Sequence, residues 1–309
     1  VLEKQRKGEP NMKNQTFGIE IEMTGMTRYD AAKTLAKYFG TTENYVGGGY
    51  SAYEVKDQTG RTWKLMSDAS IRPETKKAGI TAGSDYKVEM VSPICRYGDI
   101  ETIQEIVREL RKAGMTVNET TGIHIHIGKD GHSARSLKNI VNIMAAKEDI
   151  LFKALEVNTE RAKRWCKKVD DALIQKINKV SAPTESRVRS IWYNGEDGAN
   201  QHYHESRYHA LNLHSVWQKG TIEFRCFNST THAGKIKAYI QLCLAISHQA
   251  KTQKSATARK TESVNEKYTF RTWLLRLGLI GEEFETARFH LLANLEGDSA
   301  WKDSRRHAA

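Results

Sequence analysis

The sequence has no apolar run of membrane-spanning length, no internal repeat and no low-complexity block. Membrane-spanning helices and stacked-repeat architectures are thereby excluded. Its four cysteines (Cys95, Cys166, Cys226 and Cys243) are scattered, with no C-x-x-C pair. Zinc knuckles and dithiol redox motifs drop out, and reduced thiols in a cytoplasmic setting are the expectation. Val1 to Asn14 is polar, carries Lys4, Arg6, Lys7 and Lys13, and lacks an apolar centre, so a secretion signal is not expected. At 309 residues the chain can bury a substantial core without disulfides.

Also missing is any interleaving of basic with aromatic residues. A formal charge of +11 suits nucleic acid, a phosphate-bearing ligand or a plainly solvated surface. The excess is concentrated at Lys163, Arg164, Lys167 and Lys168 and again at Lys251, Lys254, Arg259 and Lys260, without the stacking platforms of a single-strand binder. Nucleic acid is therefore not expected as the principal substrate.

What is present is periodicity of two kinds. Apolar spacing predicts helices over Tyr29 to Phe39, stopped by Gly40; over Ile100 to Leu110, ending near Gly114; from an N-cap at Ser133 through Leu155; over Arg161 to Val180; and from Lys235 to Ala250. Residues 251–260 read as a linker before a small helical extension containing Trp273, Leu274, Phe284 and Leu291. Residues 181–206 show no period and are expected to form a long loop or hairpin over a site, bearing His202, His204 and Glu205. The division expected is a polar tail (1–15), one main domain (16–252), and a linker with extension (253–309).

Strict alternation marks strands at Thr16 to Thr24, Lys87 to Ser92, Gly122 to Gly128 and Thr221 to Phe227. Because the side-chain period of a strand is two, Glu20 and Glu22 share one face while Phe17, Ile19, Ile21 and Met23 share the other. That face is a site or simply wet. His124 and His126 likewise stand opposite Ile123, Ile125 and Ile127; they can ligate one metal together, divide metal and phosphate between them, or pair on a solvated sheet. Glu223 and Arg225 repeat the design, Glu89 adds a carboxylate, and Asp68-Ala69-Ser70 precedes a basic turn with Arg72. Four strands with such groups on one face make coincidence a poor account. Carboxylate-dominated donors with one imidazole favour Mg²⁺, with Mn²⁺ as the alternative, over zinc. Mg²⁺ in turn points to phosphate and a nucleotide.

FGIEIE, the D-x-S of Asp68 to Ser70, VEMVSP, GIHIHIG, and SRYHALNL followed by TIEFR together resemble the amidoligase family of the glutamine synthetase-like carboxylate-amine ligases, relatives of the glutamate-cysteine ligases. The resemblance covers about Thr16 to Ala250. It implies an α+β fold: a curved, mainly antiparallel sheet with helices on the convex face and two or three Mg²⁺ ions on the concave one, between ATP and substrate. It matches Glu20, Glu22, Glu89, His124 and Glu223 to metal ligands, His126 and Arg207 to nucleotide-phosphate contacts, and Arg225 to the group that steadies the transferred phosphoryl. Arg207 is matched to the strand preceding TIEFR. Relatives often have Cys where this chain has Thr121, so that position is not expected to be catalytic.

The activity so implied is ATP-dependent amide formation between a carboxylate and an amine through an acyl phosphate, with Glu223 and Arg225 in the machinery and Asp68 or a residue of 181–206 taking the amine proton. A kinase acting on an amino or guanidino group, a metal-dependent hydrolase, and a basic binding module for nucleic acid or an acidic partner are the alternatives. A peptide or cell-wall fragment would suit the basic surface as substrate.

Overall fold

The structure, a computed structural model, describes residues 11–77 and 79–301. Most of the polar tail, residues 1–10, lies outside them, as do residues 302–309. Eight strands form one sheet: β1 (Phe17–Met23), β2 (Glu43–Gly47), β3 (Ala52–Lys56), β4 (Thr62–Met66), β5 (Val88–Val91), β6 (Gly122–Gly128), β7 (Leu211–Asn212) and β8 (Thr221–Asn228). Their order is β2-β3-β4-β5-β1-β6-β8-β7, and every pairing between them is antiparallel. The fold is α+β, as the family resemblance implies.

Helices cover one face of this sheet because that is where alternation sends the apolar side chains. Ile19, Ile21, Met23, Ile123, Ile125, Ile127 and Phe224 are all buried in the core. Over them lie α1 (Arg28–Phe39), packed on β3 and β4, and α8 (Ala233–Thr252), packed on β6; α2 (Asp99–Ala113) touches both helices, and α3 (Ala134–Ala154) packs beyond α8. Their ends are set locally. Thr27 caps α1 by accepting from Asp30 N, and Gly40 closes it at φ 67°, a left-handed conformation that costs glycine least. Ser133 and Ser136 cap α3 reciprocally, side chain to backbone in both directions. Among the described residues, no helix is long and apolar enough to cross a membrane.

The structure departs from the sequence expectations in three places. Residues Arg161 to Val180 are not one helix but two, α4 (Thr159–Arg164) and α5 (Asp171–Asn178). Between them the backbone bridges another segment, Lys167 N donating to Tyr208 O and Ala210 N to Lys167 O, before Asp170 caps α5. Residues 181–206 are not wholly loop: Thr184 caps α6 (Glu185–Trp192), which buries Val188, Ile191 and Trp192 at helical spacing. The hairpin strands β2, β3 and β4, which carry the sheet beyond β5, were not expected from the sequence. The remaining helices are α7 (His214–Gln218), just ahead of β8, and α9 (Glu266–Arg276) and α10 (Glu285–Leu292), whose Phe270, Leu274 and Leu291 join the main core, with α10 packed on α8.

Candidate active site

On the sheet face away from α1, α2 and α8, cross-strand register brings the polar residues into one row. Glu20 of β1 pairs with His124 of β6, Glu22 with Glu89 of β5, and His126 with Glu223 of β8. Directly opposed residues have Cβ atoms about 5 Å apart, so these side chains must interact. The β6–β8 register slips between Ile123 and Ile125, leaving Arg225 and Cys226 both opposite His124. This bulge lets β8 present Glu223 and Arg225 to the polar face and still return Phe227 to the core, where it stacks on Tyr239 at 4.5 Å.

The resulting cleft encloses about 590 Å³ and is lined by Glu20, Glu22, Asp68, Glu89, His124 and Glu223, faced by Arg161, Arg207, Lys219 and Arg225. His124 sits at its centre. Its Nδ1 is 3.1 Å from Glu20 Oε2 and 3.8 Å from Glu223 Oε1, and its Nε2 is 3.8 Å from Glu22 Oε1. Two triads of potential ligands therefore share it, Glu20–His124–Glu223 and Glu22–Glu89–His124, each with donor atoms within 4.8 Å of one another. Arg225 Nη1 donates to Glu223 Oε1 at 2.5 Å and its Nε to Trp165 O at 3.4 Å. Asn212 on β7 donates to the other oxygen of Glu223 at 2.6 Å, and the Gly122 N–H donates to Glu22 Oε2 at 2.6 Å. Lys219, in the turn between α7 and β8, reaches Glu20 Oε1 at 3.2 Å.

Electrostatics divides the carboxylates into two kinds. Against the pull of burial, the Arg225 guanidinium holds Glu223 down to about 2. Glu20 is also buried, yet the His126 and His124 rings and Lys219 keep it well below the ordinary range. Glu22 goes the other way: burial pushes it up to about 7, Arg161 offsets only part of that, and the Asp68 charge adds to it. Burial and then the charges of Glu20, Glu22 and Asp68 push Glu89 well above its usual value. His124 is lowered to about 4, first by burial and then by Arg225, leaving a neutral ring. A face of hard oxygen donors around a neutral imidazole, on which two acids resist ionising, suits a divalent cation such as Mg²⁺.

That division makes a prediction. A cation needs ionised ligands, so binding at the Glu22–Glu89–His124 triad must displace protons from Glu22 and Glu89 at any pH below their raised values. Mg²⁺ affinity should rise with pH through about 7, and below that point each ion bound should release about one proton or more. Calorimetry in two buffers of different ionisation enthalpy measures the proton count directly; binding with no proton exchange at pH 6 would remove Glu22 and Glu89 from the ligand set.

The placement of the remaining residues is mixed. Asp68 lines the cleft just after β4, with Oδ1 accepting from the Ser70 N–H at 2.6 Å and hydroxyl at 2.5 Å. Arg72 is turned away, paired with Glu74 and Glu119. Arg207 lines the cleft from a short 3-10 turn, Glu205–Arg207, and not from a strand, because His204 caps that turn by accepting from Ser206 N. Its guanidinium lies 5.4 Å from the Tyr203 ring. His126 lies behind the carboxylate row: Nδ1 is 2.9 Å from Thr221 Oγ1, Nε2 is 3.3 Å from Glu20 Oε1, and the ring is not part of the cleft lining. The phosphate contact expected of it does not follow from that placement. Of 181–206, only His202 and Tyr203 line the cleft, and the Tyr203 hydroxyl meets that of Tyr50 from the β2–β3 turn at 3.0 Å.

Four contributors are not marked by alternation, although Asn212 falls within the SRYHALNL segment. Asn212, Trp165 and Lys219 lie in segments without strand alternation, and Arg161 lies beside the solvent-facing Lys163 and Arg164.

Against this geometry, residues 13–247 match the family model described as "Putative amidoligase enzyme". The chain belongs to this amidoligase family. The match takes in every strand and each cleft residue named above. Among solved structures, that of a bifunctional glutathione synthetase from Pasteurella multocida superposes with a TM-score of 0.37 at 11% identity, covering 91% of this chain and 46% of that one. The amidoligase chain thus spans about half the length of that synthetase. No curated protein matches it.

Proposed function

We propose that this amidoligase joins a carboxylate to an amine at the expense of ATP, through an acyl phosphate. The observation that carries the reading is the pair of carboxylate triads sharing His124, with Arg225 fixed beside them in the same cleft. A purely acidic floor would repel a nucleotide, and a purely basic cleft would have no use for four buried or half-buried glutamates. Together they suit phosphate approached through a cation. A divalent ion held by Glu20, His124 and Glu223, or by Glu22, Glu89 and His124, supplies the positive charge that lets phosphate oxygens approach the glutamates.

The chain's own groups then divide the work. In the first step a carboxylate oxygen of the substrate attacks the γ-phosphorus of ATP, forming the acyl phosphate and releasing ADP. Negative charge spreads over the transferring group at that moment, and a fixed cation stabilises it without reorganising. Arg225, anchored to Glu223 and the Trp165 carbonyl, is placed for this, with Arg207 and Lys219 at the cleft wall. In the second step the amine attacks the acyl carbon and phosphate departs. Asp68, one oxygen already fixed by Ser70, accepts the amine proton with the other. His126 orients Glu20 and Glu223 from behind. All these groups fall within residues 16–252, which we take as the ligase domain.

The test is a screen of amine and carboxylate mixtures for ATP-dependent phosphate release, with product masses read directly. A product one water lighter than its two precursors, with ADP and phosphate released together, is the expected result. A product heavier than its precursor by a phosphoryl group would make the enzyme a kinase, and turnover without nucleotide would make it a hydrolase.

A further inference from the structure

Arg161 is a buried and poorly matched charge of the cleft. It projects from α4 and is 3% exposed. Its hydrogen bonds are two long ones to backbone carbonyls, Nη1 to Thr120 O at 3.4 Å and Nη2 to Arg225 O at 3.5 Å, while Nε has no partner among the described residues. The nearest carboxylate, Glu22, is 3.8 Å away and already accepts from the Gly122 N–H. A buried guanidinium with five donors is ordinarily matched by carboxylate or phosphate oxygens in fork geometry. Here that match is missing, although the side chain lines the cleft.

The strand beneath is shaped to hold it there. A Cβ at Gly122 would lie 2.0 Å from Arg161 Nη2 and 2.4 Å from its Cζ, so the guanidinium occupies the space that glycine leaves open. Gly122 therefore does more than bracket β6: it seats a cation at the Glu22 end of the cleft, opposite the end where Lys219 meets Glu20.

We propose that Arg161 is an oxyanion-binding residue of this cleft, gripping a carboxylate or phosphoryl group of a bound substrate through its unpaired donors. The proposal rests on the ligase reading only for which molecule brings that group. Acetate stands for the carboxylate substrate and inorganic phosphate for the nucleotide, and the two sources are separated by titrating each into the protein in the presence of Mg²⁺, followed by calorimetry. Arg161→Lys keeps the charge and removes the fork. Gly122→Ala keeps every ionisable group and dislodges the guanidinium, its new methyl meeting only the far end of a flexible side chain.

Losing a hydrogen-bonded charged contact weakens binding roughly 10–100-fold, so both variants should bind one of the two anions that much more weakly, with Mg²⁺ affinity in a third titration nearly unchanged. Unchanged anion affinity in both variants overturns the proposal, as does absence of saturable binding of either anion by the wild type. A fall in Mg²⁺ affinity in step with the anion makes Arg161 only a counter-charge for Glu22, and unfolding of both variants makes it only structural. None of these titrations reads amide formation, so failure to find a ligated product would end the ligase reading without deciding this one.

Discussion

Replacing Glu223 by Gln is expected to lower ATP-dependent product formation on the order of 10³-fold, the scale of removing one preorganised group from a reacting centre. The two oxygens of Glu223 accept from different donors, Oε1 from Arg225 and Oε2 from Asn212. An amide has one acceptor and one donor end, so it can satisfy only one of the two. It also brings no charge, so Arg225 loses the counter-ion that fixes it and the Glu20–His124–Glu223 triad loses an anionic ligand. The stability cost should be about 1–3 kcal/mol, that of one buried donor left unsatisfied, and the fold should survive it. Raising the pH should not rescue the variant, because Glu223 is held at about 2 and is ionised throughout the working range. Circular dichroism and a chemical melt check the fold, and the product assay checks the activity; a folded variant with more than about a tenth of wild-type turnover would remove Glu223 from the machinery.

The residues most legible in the sequence are those whose neighbours follow from the pleat. Glu20 with Glu22, and His124 with His126, had to share faces once their strands were recognised, and antiparallel pairing did the rest. Glu223 and Arg225 were readable in the same way, but the bulge that sets both Arg225 and Cys226 against His124 in the register was not, since strict alternation would have sent Phe227 to the polar side. Arg161, Asn212 and Lys219 reach the cleft from α4, β7 and a turn, through tertiary packing that no local period encodes. The α6 helix was hidden because only Val188, Ile191 and Trp192 mark its buried face among polar residues. β2 was hidden for the opposite reason: along Glu43–Gly47 no residue is buried, so no alternation exists to be read.

The overlooked hairpin has its own measurable weight. Trp63 on β4 is 0% exposed and is the largest of the fully buried side chains. It stands opposite Val55 of β3, its ring lies 5.7 Å from that of Phe39 on α1, and its indole N–H reaches Asp57 Oδ2 at 3.4 Å. One side chain thus ties the hairpin to the first helix. Trp63→Ala should cost about 3–5 kcal/mol, combining lost transfer energy with a cavity that the rigid sheet cannot close. In a chain of this size that is a fall in melting temperature of roughly 5–8 °C. The effect should reach the cleft as well: β4 pairs Met66 with Glu89 on β5 and then leads into Asp68 and Ser70. Loosening β4 would free two of the acidic groups that line the site, so Mg²⁺ affinity should fall along with stability. If β2 to β4 instead melt in a separate, earlier transition while Mg²⁺ binding is unaffected, the hairpin is an appendage to the sheet and the register of Glu89 is set by β1 alone.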